Sequence, residues 1–129
     1  MRITNHRSTG FSLVELLVTI MVIGILAAVA FGSYQSHIRK GRRADAQAFL
    51  MDLVQRQQQY FTDSRAYATD VATLNNPLPA SLSSFYTVQV ATAATPPTFT
   101  ITATAVGSQL SDGNLTINNS GAKTPSDRW

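Results

Sequence analysis

The sequence predicts an α+β fold in which one very long N-terminal helix packs on a small antiparallel sheet of about three or four strands. Three observations support this class. An apolar run of residues 11–31 continues into an amphipathic helical pattern, a segment with two prolines follows, and the last third alternates apolar and polar residues. The 129 residues allow one small globular domain beside the apolar helix.

The apolar run covers 21 residues, and its only charged residue is Glu15. As a helix it would extend about 31 Å, which matches the hydrocarbon thickness of a bilayer. Ten residues precede the run, Arg2 and Arg7 among them, and no A-x-A-like cleavage site is followed by a polar start. A cut in front of the run would therefore keep it in the mature protein, where residues 11–33 would form a transmembrane or filament-core helix.

A second, amphipathic stretch of helix is predicted over residues 34–62. Its apolar residues recur with the spacing of one helix face: Ile38, Ala46, Phe49, Leu50, Leu53, Tyr60 and Phe61. Polar residues such as Arg43 and Gln47 fall mostly away from this face. Gly24 and Gly32 are positions where the long helix could bend or locally melt.

The residue pattern after position 62 predicts a loop followed by a sheet. Residues 63–84 show weak periodicity and contain the prolines of a connecting loop. Residues 85–129 show strand character, with strict alternation over 99–105 and a hairpin loop at 94–97. A third strand is expected at 115–117. The apolar face of this sheet would pack on the amphipathic half of the helix.

The start of the apolar run carries a family resemblance. Residues 10–15 read GFSLVE and resemble the processing site of type IV prepilins. The resemblance implies that a prepilin peptidase cuts after Gly10, removes residues 1–10 as a leader, and methylates the new amine of Phe11. It also implies that residues 34–129 form the globular domain of a type IV pilin roll, and that Glu15 is the acidic residue that pilins carry near the mature N-terminus.

Glu15 is also a candidate on physical grounds, because an ionised carboxylate inside an apolar helix is energetically costly, and residues of this kind usually serve a function. In a filament core it would need a cation, and the Phe11 amine of a neighbouring subunit is a suitable one. The alternative is a carboxylate that reaches the lipid headgroups near one membrane face.

Later segments sharpen the resemblance toward PilE-type minor pilins. Residues 39–47 (RKGRRADAQ), residues 113–117 (GNLTI) and Trp129 carry it. Such pilins usually have two cysteines bracketing the C-terminal loop, whereas this sequence has no cysteine. Packing must therefore hold the loop, with Trp129 as one candidate, and minor rather than major status stays open.

The resemblance implies a structural subunit of a type IV pilus, and the later segments favour the minor class over the major one. Its partners would be other pilin subunits, the prepilin peptidase, and the assembly platform with its ATPase. The precursor would sit in the bacterial inner membrane with the C-terminal domain in the periplasm, and the subunit would then reach the cell surface. Counting basic residues near the apolar run favours the opposite orientation, but the processing motif is the more specific signal.

Two other functions share these features. One is a type II secretion pseudopilin, which has the same anchor. The other is a pilus-borne receptor, an adhesin or a DNA-uptake protein, in a pilus that could also serve twitching motility. Without Arg2 and Arg7 the chain has 8 basic and 7 acidic residues, so bulk charge does not indicate nucleic acid binding.

The remaining charged residues give weaker candidates. Arg39, Lys40, Arg42 and Arg43 form a basic contact patch that could touch lipid headgroups, neighbouring subunits or DNA. His6 and His37 have no neighbours in sequence that would form a triad or a metal site, and a calcium loop around Asp112 is the pseudopilin alternative. We therefore expect neither an enzyme, nor a cofactor, nor a metal.

Overall fold

The computed structural model describes residues 10–129. The chain divides into two compact units, Met1–His37 and Ile38–Trp129. Both contribute to a single helix, α1, which comprises the 52 residues Leu13–Ser64. No proline interrupts this stretch, and leucine, isoleucine and alanine, which mostly favour helix, are frequent in it.

Helix α1 ends at a backbone turn that the following residue supplies. Arg65 has a φ of 57°, in the left-handed region, and its amide still bonds the Phe61 carbonyl at 2.9 Å. A residue in this conformation just past the last turn is a common way for a helix to stop. The chain then turns back along the second unit.

The second unit contains a four-stranded antiparallel sheet in the order β1-β2-β3-β4. The strands are β1 (Tyr86–Ala94), β2 (Pro97–Ala105), β3 (Leu115–Asn118) and β4 (Lys123–Thr124). A short helix α2 (Ala80–Ser83) precedes the sheet, and 3-10 helices occupy Gly107–Asp112 and Ser126–Arg128. Strands β1 and β2 pair along their whole length, from Tyr86 opposite Ala105 to Ala94 opposite Pro97.

The core lies between one face of the sheet and the second half of α1. Leu50 and Leu53 of the helix are fully buried, together with Phe99 and Ile101 of β2 and Leu115 of β3. The alternate residues of β2 are threonines on the opposite face of the sheet, as a period of two requires. The α+β class, with one long helix on an antiparallel sheet, is confirmed, and the sheet has four strands.

The segment 63–84 is tied to the helix by a buried glutamine. Gln57 is fully buried; its Nε2 donates to the Ala68 carbonyl at 2.8 Å, and its Oε1 accepts from the Ala68 amide at 2.9 Å. Both polar groups of the side chain are therefore satisfied by backbone, which is the condition for burying an amide without a large cost.

Candidate functional site

The first candidate region is the apolar part of α1 in the first unit. Its large side chains point outward on every side of the helix and are exposed, from 49% at Leu17 to 80% at Leu13. In the described residues, α1 is the one helix long and apolar enough to cross a membrane. So much exposed apolar surface is unstable in water and requires lipid or other protein around it.

The predicted processing residues lie at the start of this helix. Gly10 and Phe11 precede its first residue, and Phe11 is 78% exposed. The rest of the predicted leader, including Arg2, His6 and Arg7, lies outside the described residues. Both Gly10 and Phe11 are exposed in the single chain.

Glu15 lies in the first turn of α1. A negative charge is favoured there, because the unpaired N–H groups of the first turn give the N-terminus a partial positive charge. Within residues 10–129 Glu15 forms no ion pair. Gly24 and Gly32 are helical, and a side chain added at either would meet open space, so neither glycine is required by close packing within the chain.

The four residues of the predicted basic patch have different environments. Lys40 is exposed and Arg39 half-buried, and neither forms an ion pair within residues 10–129. The Arg42 guanidinium lies 3.6 Å from the centre of the Phe85 ring and donates to Ser108 Oγ at 3.2 Å. Arg43 is paired with Asp112. The sequence cluster therefore presents three cations without an acidic partner rather than four.

The Arg43 and Asp112 side chains form a bidentate ion pair that the sequence does not reveal. Arg43 Nε donates to Asp112 Oδ2 at 2.6 Å, and Arg43 Nη2 donates to Oδ1. The carboxylate is only 7% exposed and also accepts from Gln109 Nε2 at 3.1 Å. The Arg43 guanidinium holds the pKa of Asp112 below its ordinary value, and the same bond raises the pKa of Arg43.

This ion pair helps to hold the C-terminal region in the absence of a disulfide. It fixes the 3-10 helix Gly107–Asp112 to α1, and Gln109 Nε2 adds a bond to the Arg39 carbonyl at 3.0 Å. Burial raises the pKa of the neighbouring Tyr86 hydroxyl. Both Asp112 oxygens thus accept hydrogen bonds from side chains of the same unit.

The end of the chain is attached separately. Gln47 Nε2 on α1 donates to the Arg128 carbonyl, and Trp129 Nε1 donates to the Thr124 carbonyl at 3.3 Å. The Lys123 ammonium lies 4.8 Å from the centre of the Trp129 ring. Trp129 thus contributes to holding the C-terminal loop, as predicted. The polar contacts of Gln47, Arg43 and Gln109 hold this region as well.

A shallow pocket of about 280 Å³ lies where the loop after α1 meets the β1–β2 hairpin. Arg65, Tyr67 and Thr69 line one side, and Thr92 and Pro97 line the other. Tyr67 is fixed between two rings, stacked on Phe61 at 4.6 Å and edge-on to Phe99 at 4.7 Å. Arg65 forms no ion pair among residues 10–129. The pocket therefore offers a free cation beside an ordered aromatic ring.

The described residues contain no group of three or more histidine, cysteine, aspartate or glutamate side chains placed to hold a metal ion. His37 is exposed in the first unit.

Two families match this chain. Residues 32–116 match the family described as type IV minor pilin ComP, DNA uptake sequence receptor. Residues 5–31 match the prokaryotic N-terminal methylation motif. The second match contains the junction of Gly10 and Phe11.

Curated relatives are pilins. The type IV wide pilus major component PilA4 of Thermus thermophilus is 35% identical over 69 residues, covering 54% of this chain and 53% of that protein. The type IV major pilin PilA of Myxococcus xanthus is 31% identical over 50% of this chain and 29% of its own length. The fimbrial protein EcpC of Eikenella corrodens is 28% identical over 81% of this chain and 67% of that protein. The alignments thus span about half or less of the first two relatives.

A solved type IV pilin from Shewanella oneidensis has the same fold. It covers 68% of this chain and 92% of its own chain, with a TM-score of 0.56 and 22% sequence identity. The predicted pilin roll is confirmed by this likeness.

Proposed function

Because the chain belongs to the type IV minor pilin ComP family, we propose that it is a filament subunit of a type IV pilus. The resemblance to type IV pilins is confirmed, and because pilins are structural proteins, the expectation that the chain is not an enzyme is confirmed as well. The observation that carries the proposal is the helix whose large apolar side chains are exposed on every side.

The exposed apolar helix would occupy two environments in succession, first the membrane and then the filament. Before assembly, residues 11–33 would span the inner membrane, with residues 34–129 in the periplasm. After a prepilin peptidase has cut behind Gly10 and methylated Phe11, an assembly ATPase and platform would transfer the subunit into the filament. The apolar helices of neighbouring subunits would then replace lipid, so that the same surface stays out of water in both states.

Glu15 would direct the transfer through an ion pair. The Phe11 amine exists only after cleavage, and a neighbouring subunit can present it to the Glu15 carboxylate in a dry filament core. Breaking such a pair by removing one partner costs about 3–5 kcal/mol, because the remaining charge is buried alone. In the bilayer, removal of the carboxylate would be neutral or favourable.

The test compares Glu15→Ala with a matched control, Asp45→Ala, in the native host. Asp45 is an exposed acidic residue of the second unit without an ion pair in the described residues. After shearing, the subunit is quantified in the membrane and pilus fractions. We expect Glu15→Ala to accumulate in membranes and to be depleted from pili, and Asp45→Ala to distribute like the wild type. Normal incorporation of Glu15→Ala would rule out the charge pair.

A second candidate function is DNA binding, since the family description names a DNA uptake sequence receptor. The pocket of Arg65 and Tyr67 supports it, because an unpaired arginine can bind phosphate and a fixed ring can stack on a base. Arg65→Gln should lower DNA affinity and reduce the slope of log affinity against log salt by about 1. Arg56→Gln is the control, because Arg56 is already paired with Asp52 at 3.0 Å. Equal affinities of Arg65→Gln and wild type would exclude this pocket.

A further inference from the structure

We propose that the second unit docks on the anionic surface of the membrane that anchors the precursor, through a patch formed by Leu110 and the cations of Arg39, Lys40 and Arg42. The inference rests on the membrane-anchored state proposed above, but it concerns a separate surface. It assigns an interaction to the 3-10 helix Gly107–Asp112, which neither the processing motif nor the apolar helix involves.

The first observation is the outward position of Leu110. In a 3-10 helix, residues three apart lie on the same side. Gln109 and Asp112 are three apart, and both are buried against α1, with exposures of 0% and 7%. Leu110, between them, is directed away from the core and is 67% exposed, whereas Met51, the other exposed large apolar residue of the second unit, is 41% exposed. A single exposed leucine is ordinary on a protein surface, so the charged groups near it decide what it can contact.

The second observation is how firmly the turn is held next to the basic residues. Gln109 Nε2 donates to the Arg39 carbonyl at 3.0 Å, and Arg42 donates to Ser108 Oγ at 3.2 Å. The bidentate bonds between Arg43 and Asp112 close the other end of the turn. These contacts fix the backbone on both sides of Leu110 against residues 39–43 of α1, which is the stretch that carries the basic side chains.

The third observation is charge. Arg39, Lys40 and Arg42 have no acidic partner within residues 10–129, and the one nearby buried carboxylate, Asp112, is neutralised by Arg43. Arg39 follows Phe31, the last residue of the apolar run, by eight residues in the sequence. Each basic side chain near an anionic membrane surface favours the bound state by about fivefold. An exposed leucine flanked by cations fits the interface between headgroups and acyl chains.

The experiment uses the full chain with one molecule per lipid nanodisc. Because the chain has no native cysteine, a single introduced cysteine can be labelled selectively. Ser111→Cys, an exposed position beside Leu110, carries a fluorophore, and quenching by neutral acrylamide reports its exposure to water. Thr95→Cys is the control site, because it lies in the β1–β2 turn at the far end of nine-residue strands, about 27 Å along them.

We expect quenching at Ser111 to fall several-fold in discs that contain phosphatidylglycerol, relative to discs of phosphatidylcholine alone, and quenching at Thr95 to stay unchanged. Adding Leu110→Ser, or Arg39→Gln with Lys40→Gln, should restore quenching at Ser111 in the anionic discs. Met51→Ser should leave the protection intact.

Three results would overturn the proposal. Equal quenching at Ser111 in both lipids would exclude docking while leaving the membrane anchor in place. Protection that needs two chains per disc and ignores lipid charge would assign the patch to a second copy of the chain. Failure of the full chain to enter discs at all would contradict the proposed membrane anchor itself, and with it this inference.

Discussion

Replacing Asp112 by alanine should strongly destabilise the second unit. The carboxylate is 7% exposed, and it accepts two bonds from Arg43 and one from Gln109. Removing one member of a buried ion pair costs about 3–5 kcal/mol. Because 21% of the Arg43 side chain is exposed to water, we expect the loss of stability to be smaller, about 2–3 kcal/mol. In a domain of this size that loss lowers Tm by roughly 10–20 °C.

The assay is urea unfolding of a fragment that starts at Tyr34, followed by far-UV circular dichroism. A double-mutant cycle with Arg43→Met isolates the coupling between the two side chains. The control cycle uses Arg56 and Asp52, an i,i+4 pair whose side chains are 39% and 47% exposed and whose coupling should be about 0.3–0.5 kcal/mol. If the Arg43–Asp112 coupling is no larger than that of the control pair, this ion pair does not hold the C-terminal region.

Because Arg43 lowers the pKa of Asp112, the pair stabilises fully above the ordinary pKa of about 3.9 and its contribution is lost as pH falls through the lowered pKa. The difference in urea midpoint between wild type and Asp112→Asn should therefore be constant from pH 7 to 5 and shrink as pH falls below the ordinary pKa; a difference that stays constant throughout the acid range would contradict the assigned titration. Gly10→Val should leave full-length precursor in the membrane on an immunoblot, and normal processing would show that the cut lies elsewhere. The fragment starting at Tyr34 should be monomeric by size-exclusion chromatography, and its aggregation would mean that the exposed apolar surface extends past residue 33.

Periodicity predicted most of the architecture. The apolar run, the amphipathic stretch and the alternating residues of β2 each repeat with the period of their element, so α1 and the sheet were accessible from the sequence. Gln57 was accessible in principle, because it follows Leu53 by four residues and so falls on the buried face. The sequence does not indicate which backbone groups form hydrogen bonds with the Gln57 side chain, because these groups belong to Ala68 in the following loop.

The contacts that replace a disulfide could not be predicted. Arg43 and Asp112 are 69 residues apart, and neither stands out among the other charged residues of the sequence. The pairing depends on the turn at Gly107–Asp112, where the 3-10 geometry directs Gln109 and Asp112 to the same side. Because this pairing is not visible in the sequence, the basic residues 39–43 were predicted to form one patch. In the structure, the charge of Arg43 is neutralised by Asp112.

Mass spectrometry of the subunit recovered from sheared pili of the native host tests most directly whether this chain is a processed pilus subunit. We expect the pilus fraction to contain this chain, with Phe11 at its N-terminus and one added methyl group on that residue. An N-terminus after Ala28 or Ala30 would mean that the apolar run is removed as a signal peptide, and absence of the chain from the pilus fraction would mean that it is not a filament subunit. Either result would contradict the proposed function as a type IV pilus subunit.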